Sequence, residues 1–192
     1  MSYVTYTTEA VVCGSFEQNT ADKAFLLFTR EAGMLFANAR SVREEVSKQR
    51  FALQDFSRIR VSLIKGKTGW RIGSVESEKN DFSIAKTREA RASVVSIYKL
   101  LRRFVRGEEA SVDLYDFVVS ALDQLEEGTD DRKFLDLFIQ LKILSILGYV
   151  DQKSLPEYIF DHDLAKLSEI RDENLIDKMT KIITKAESSS HL

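Results

Sequence analysis

The chain has 192 residues, 44% of them apolar and 30% charged, with a net charge of −2; that composition supports real hydrophobic cores, in one large domain or two small ones, and excludes a disordered protein. Its single cysteine, Cys13, excludes an internal disulfide and a cysteine-rich zinc cluster. The amino terminus lacks a basic segment followed by an apolar stretch, and the most apolar run, Leu137 to Val150, is interrupted by Gln140 and Lys142, so neither a secretory signal nor a membrane span is expected and a cytoplasmic protein is.

Apolar residues alternate with polar ones along five runs, Tyr3 to Cys13, Ala24 to Phe28, Met34 to Ala39, Phe56 to Ile64 and Trp70 to Val75, which predicts five strands. In the fourth, Ile59, Val61 and Leu63 are expected to face a core while Arg58, Arg60 and Ser62 face outward. Gly66 to Gly69 reads as a tight hairpin turn, and Ser41 to Gln54 as a longer connection that Phe51 anchors. Five strands with the longest connection between the third and fourth match a small Greek-key barrel of the OB type over residues 1–80. Cys13 lies in the apolar run Ala10, Val11, Val12 and reads as a buried core thiol.

Beyond Asp81 the period becomes helical, giving an α+β chain whose second part, residues 81–192, is all-α. A first helix carries Val94, Ile97, Tyr98, Leu101, Phe104 and Val105 on one side. A second opens at Ser111 as N-cap with the stripe Val112, Tyr115, Val119 and Leu122; a third, after Thr129 and Asp130, is apolar nearly all round from Phe134 to Leu147 and is stopped by Gly148. Pro156 belongs to the next loop, and Leu164, Leu167, Ile170 and then Leu175, Ile176, Met179, Ile182, Ile183 predict two more helices.

Charge is unevenly placed. Arg40 to Arg71 holds nine basic residues against three acidic, Lys86 to Arg106 holds seven against one, and the chain after Arg106 holds nine against nineteen. Two basic clusters before an acidic remainder point to a polyanion-binding region beside a solvating or partner-binding one.

The run Thr8, Glu9, Ala10, Val11, Val12, then Phe28 to Leu35, a basic connection, and Ala52 to Phe56, resembles the amino-terminal OB domain of the RecO family of bacterial recombination mediators. Phe134, Leu135, Phe138, Leu141, Leu144, Leu147, Gly148 and Tyr149 are similar to that family's central helix and terminal Leu-Gly-Tyr. The resemblance implies binding of single- and double-stranded DNA, annealing of complementary strands, and action with RecR and single-stranded DNA-binding protein to load RecA in recombinational repair, without a cofactor and at the bacterial nucleoid. The chain departs from the pattern in lacking the four-cysteine zinc module that many members carry after Leu-Gly-Tyr; Val150 to His162 stands there as a short connection.

Arg40, Arg43, Lys48 and Arg50 are the matching basic connection and the first choice for phosphate contacts; Arg58, Arg60, Lys65, Lys67 and Arg71 extend the set. Trp70, beside the hairpin tip, either stacks on an unpaired base or plugs the barrel end. Arg102, Arg103 and Arg106 are expected to receive the acidic-hydrophobic tail of single-stranded DNA-binding protein or to lengthen the DNA track. A non-catalytic adaptor working through protein contacts is the alternative reading. Gly66, Lys67, Thr68 lacks the rest of a P-loop, since the required earlier glycine is Val61. His162 sits between Asp161 and Asp163 at a helix start, and no nucleophile with a base is recognisable, so no catalytic residue and no metal site is predicted.

Overall fold

The first strand, Thr5–Glu17 (β1), serves two partners. The computed structural model describes residues 5–126, 131–154, 157, 159 and 173–189. In it the first half of β1 pairs antiparallel with Ser57–Gly66 (β4) and the second half with Lys23–Thr29 (β2), the register shifting between Val12 and Gly14. A bulge of this kind bends a strand and tightens its twist, which lets one strand turn the corner of a closed sheet. Gly33–Ala39 (β3) follows β2, and Gly69–Asn80 (β5) pairs antiparallel with β4 and parallel with β3, closing a barrel in the order β1-β2-β3-β5-β4. The expected five-stranded barrel followed by helices is borne out.

Alternation explains the barrel's interior. Ala10 and Val12, Phe25 and Leu27, Leu35 and Ala37, and Ile59, Val61 and Leu63 fill it. Two strands outrun their patterns: β1 continues past Cys13 to Glu17, and β5 past Val75 to Asn80. Backbone pairing carries those extensions, Ser15 to Glu17 against Lys23 to Phe25 and Ser77 to Asn80 against Ser57 to Ile59, so polar residues there do not interrupt the ladder. Lys67 and Thr68 form the β4–β5 turn, with Gly69 at φ 118° as the left-handed position a tight hairpin requires. The connection from β3 to β4 contains one helical turn, Gln49–Ala52 (α1). Phe51 does not anchor it; the ring is 64% exposed, because Val42 and Leu53 supply the apolar anchors and join the barrel core.

Strand gives way to helix at Asn80, whose side chain accepts from the Ser83 amide at 3.0 Å and opens Asp81–Ile84 (α2). Thr87 caps Arg88–Phe104 (α3) in the same way through the Ala90 amide. The predicted α3 face, Val94, Ile97, Tyr98, Leu101 and Phe104, is buried. Val112–Gln124 (α4) begins after Ser111, but the serine hydroxyl makes no capping bond. Its buried stripe is Leu114, Tyr115, Val118, Ala121 and Leu122, with Val112 and Val119 half-buried at its margins. Arg132–Ile146 (α5) packs against α3, α4 and Glu173–Ser189 (α6), and Gly148 ends it at φ 77° while the Tyr149 amide reaches back to the Leu144 carbonyl. The expected positions Tyr3, Thr129, Asp130, Pro156, His162 with its flanking acids, the helix around Leu167, and His191 lie outside the described residues.

The helices do not form a separate core. Val11, Cys13, Leu26, Phe28 and Met34, from the outer face of the barrel, belong to the same buried cluster as α3, α4, α5 and α6. Cys13 is 4% exposed, and burial pushes its thiol pKa up to about 12, so it is an apolar filler at this seam. Among the described residues no helix is long and apolar enough to cross a membrane, and no group of His, Cys, Asp and Glu is placed to hold a metal ion.

Candidate nucleic-acid interface

Part of the β2–β3 outer face escapes the helices and becomes the floor of a groove. Ala24, Leu26, Met34, Phe36 and Asn38 line it, Gln18 from the β1–β2 loop and Thr68, Gly69 and Trp70 from the β4–β5 turn close its ends, and Arg102, Val105 and Arg106 form its α3 wall, around a cleft of about 770 Å³. The sheet face between those two loops is the surface on which OB folds hold oligonucleotides. A second cleft of about 680 Å³ shares Asn38, Thr68, Gly69 and Trp70 with the first and adds Arg40, Lys65, Lys67 and Arg71. The β4–β5 turn therefore stands between two connected clefts.

Five basic side chains converge there without an ion pair to any described residue: Arg40, Lys67 and Arg71 on one side of the turn, Arg102 and Arg106 on the other. They come from the residue after β3, the β4–β5 turn, β5, the last turn of α3 and the connection that follows it, so only the closed barrel and the docking of α3 bring the two sequence clusters together. Lys65 also faces this region but is held by Glu108 of the α3–α4 connection at 3.1 Å. That hydrogen bond holds the Glu108 carboxyl below its ordinary range, with a small contribution from the buried Trp70 indole N–H, which forms no well-aligned bond. Trp70 packs against the barrel interior, and Lys65 covers one ring face at 4.8 Å from its centroid. Of the two expected roles for Trp70, the plug fits this placement.

The family described as Recombination protein O C terminal matches residues 86–150, a span that runs from before α3 to the end of α5. A protein of Caldanaerobacter subterraneus subsp. tengcongensis called DNA repair protein RecO is 28% identical over 143 residues, covering 74% of this chain and 58% of that protein. DNA repair protein RecO of Desulforudis audaxviator is 27% identical over 145 residues, covering 75% and 57%, and that of Dehalococcoides mccartyi 25% identical over 144, covering 75% and 56%. The chain is similar to RecO proteins over about three quarters of its length. It spans somewhat over half the length of these curated relatives.

Against the RecO expectation, other basic residues take different places. Arg58, expected to face outward, is 4% exposed: its guanidinium lies under α2 and α4, pairs with Asp81 at 2.7 Å and Asp123 at 2.9 Å, and has no path to a phosphate. The alternation that put it outside the barrel was right, but that part of the outer face is a helix-packing surface. Arg60 is exposed between Glu9 and Glu76, its register partners on β1 and β5, which offset its field. Arg43 is tied to Glu17 at 3.4 Å and to the Asn19 carbonyl at 3.0 Å, and lines another cleft with Arg50, Lys23 and Glu17. Lys48 is exposed at the start of α1, and Arg50 lies over the Phe51 ring at 4.7 Å. The proposed partner-binding trio is split, because Arg103 turns the other way and donates to the Glu187 carbonyl of α6. Phe16 and Phe36, which charge clustering does not single out, are 43% and 58% exposed at this groove's side of the barrel. Only Phe36 left a signal in the alternation, at an outward position of the run Met34 to Ala39 where a polar residue is expected; Phe16 lies in the part of β1 beyond the expected strand.

Proposed function

We propose that this chain is a non-catalytic DNA-binding protein of recombinational repair, which binds single- and double-stranded DNA and anneals complementary strands. One observation carries the reading: Arg40, Lys67, Arg71, Arg102 and Arg106 converge on two connected clefts around the β4–β5 turn of an OB barrel. Guanidinium and ammonium groups so placed neutralise phosphates and release condensed counterions. Annealing needs no acid, base or metal, since pairing is itself downhill; the protein has only to reduce repulsion between strands while leaving base edges accessible. Kinship with proteins named for DNA repair supports the same role.

By that kinship the partners are RecR and single-stranded DNA-binding protein, with RecA loading as the outcome and the nucleoid as the place. An acidic tail of single-stranded DNA-binding protein would compete with DNA for Arg102 and Arg106, which share the groove, and would not engage Arg103 beside them.

Anisotropy of labelled oligonucleotides over a salt series tests the reading. A steep logarithmic slope is expected, with Arg102→Ala and Arg106→Ala each reducing it by about 0.7 to 0.9 because one phosphate is no longer neutralised, while Arg103→Ala leaves it unchanged. A wild-type slope near zero would sink the proposal and favour an adaptor.

A further inference from the structure

Phe16 and Phe36 form an exposed pair on the barrel's outer face, ring centroids 5.7 Å apart and planes tilted by 59°. They stand on β1 and β3, on either side of β2, and meet because β2 presents only the small Ala24 opposite Phe16. Neither ring is a member of the barrel core or of the core shared with the helices, both of which are filled without them. Two large aromatic side chains left in contact with water on a sheet face mark a binding surface rather than a packing residue. The charge around them says what is bound. Arg102 reaches across from α3 so that its guanidinium lies over Gly14, where an added methyl group would meet it at 3.7 Å. Gly14 and Phe16 point to the same face of β1, two residues apart. Phe36 itself lines the groove with Arg102 and Arg106. Aromatic rings beside unpaired guanidinium groups match a ligand with flat apolar faces on a polyanionic chain.

Resting on the DNA-binding reading above, we propose that Phe36 and Phe16 are the specificity-determining platform of this surface, stacking on unpaired bases whose phosphates Arg102 and Arg106 hold, and so giving single strands preference over duplex. The basic residues alone do not discriminate, because both forms of DNA expose phosphate. Base faces are exposed only in the single strand; in a duplex they are stacked against one another. Trp70 cannot take the role, since one ring face is covered by Lys65 and the indole closes the barrel.

The test compares binding of a labelled oligothymidylate, an abasic oligonucleotide of equal length, and a blunt hairpin duplex by the full chain and by Phe16→Ala/Phe36→Ala and Phe36→Trp. Wild type is expected to bind oligothymidylate at least about 10-fold more tightly than the abasic strand, from stacking alone. The double alanine variant is expected to lose that factor while its duplex affinity and salt slope stay at wild-type values. Phe36→Trp is expected to keep the affinity and to show indole fluorescence quenched by oligothymidylate beyond any change in wild type. Equal binding of thymidylate and abasic strands by wild type overturns the inference, and this comparison needs no variant to fold. Parallel loss of single-strand and duplex binding in the double variant, or a change in its sedimentation showing that a second copy of the chain covers the rings, overturns it as well. If wild type binds none of the three, the DNA-binding reading itself has failed; if it binds all three alike with a steep salt slope, only this inference has.

Discussion

The Arg58 guanidinium and the Asp81 carboxylate lie 2.7 Å apart with side chains 5% and 1% exposed, joining β4 to the first residue of α2 beneath the helices. Arg58 Nε also donates to Asp81 Oδ2 at 3.1 Å, and the Tyr98 hydroxyl of α3 donates to the same oxygen at 2.9 Å. Burial lifts the Tyr98 phenol well above its usual range, so it remains a donor across the working pH range. Removing Arg58 leaves the buried Asp81 carboxylate with only the Tyr98 hydroxyl, and removing Asp81 leaves the buried guanidinium with only the half-exposed Asp123. Arg58→Ala and Asp81→Asn are each expected to lower unfolding free energy by about 3 to 5 kcal/mol. Replacing both with apolar residues, Arg58→Met with Asp81→Leu, is expected to recover most of the loss, because no orphan charge remains. Urea midpoints at constant slope decide it; additive losses in the double variant would show that the two side chains do not act as a pair.

Asp123 of α4 is the exposed end of this network, touching Arg58 and Lys79, while Lys79 also holds Glu126. Partial burial works against its charge, but the two cations outweigh it and the carboxyl stays below its ordinary range. A depressed folded pKa means stability that is present above the unfolded value of about 3.9 and disappears as pH falls through the folded value. With 48% of the Asp123 side chain exposed, the contribution is screened to about 1 kcal/mol or less. Asp123→Asn is therefore expected to be less stable than wild type at pH 7 and to converge with it below about pH 4. Chemical denaturation at a series of pH values reads the difference directly; a gap that stays constant into acid would mean the loss is steric.

How far the sequence carried this fold depends on which signal each element left. Interior positions such as Ile59, Val61 and Leu63 were legible because alternation reports directly which face is dry. Arg58 was not: period two tells inside from outside of one sheet, and cannot tell an outer face meeting water from one meeting α2 and α4. The site shows the same limit. Lys67 and Arg102 are 35 positions apart in the chain, and only barrel closure with the docking of α3 sets them beside one turn. Phe36 was written into its strand as an outward aromatic residue, yet charge patterning gives no weight to an uncharged ring, and Phe16 lies past Cys13, where pairing with β2 rather than alternation extends β1.

Glu108 places a negative charge inside a cationic groove and occupies Lys65 at 3.1 Å. Both effects oppose phosphate binding. Glu108→Gln is expected to tighten oligonucleotide binding about 2- to 5-fold at low salt, the size of a screened surface ion pair, and to steepen the salt slope as Lys65 becomes available. Because Lys65 keeps the Glu108 carboxyl below its ordinary range, the advantage is expected to persist unchanged from pH 8 to pH 5.5. An advantage that vanishes on acidification within that window would mean that Glu108 titrates there and is not held by Lys65.

The groove's α3 wall is fixed by a backbone contact at Gly33. This residue has φ 63°, and a methyl group on it would stand 2.4 Å from the Glu109 carbonyl oxygen and 2.8 Å from that of Gly107. Beside it, the Met34 amide donates to the Gly107 carbonyl at 2.9 Å, so the β2–β3 turn is joined to the α3–α4 connection between Arg106 and Glu108. Neither neighbour is a side chain that can rotate away. Gly33→Ala therefore has to combine a left-handed backbone with displacement of that connection, a strain of about 1 to 3 kcal/mol before any repacking. The variant is expected to show lowered thermal stability and, because Arg106 and Glu108 move with the connection, weaker oligonucleotide binding with the barrel's strand signature retained in circular dichroism. Gly69→Ala supplies the contrast: φ is 118° but nothing lies within 4 Å, so backbone strain acts there without a clash. Equal losses in the two variants would place the whole effect in local conformation and leave the contact between Gly33 and the connection without a role in holding the groove.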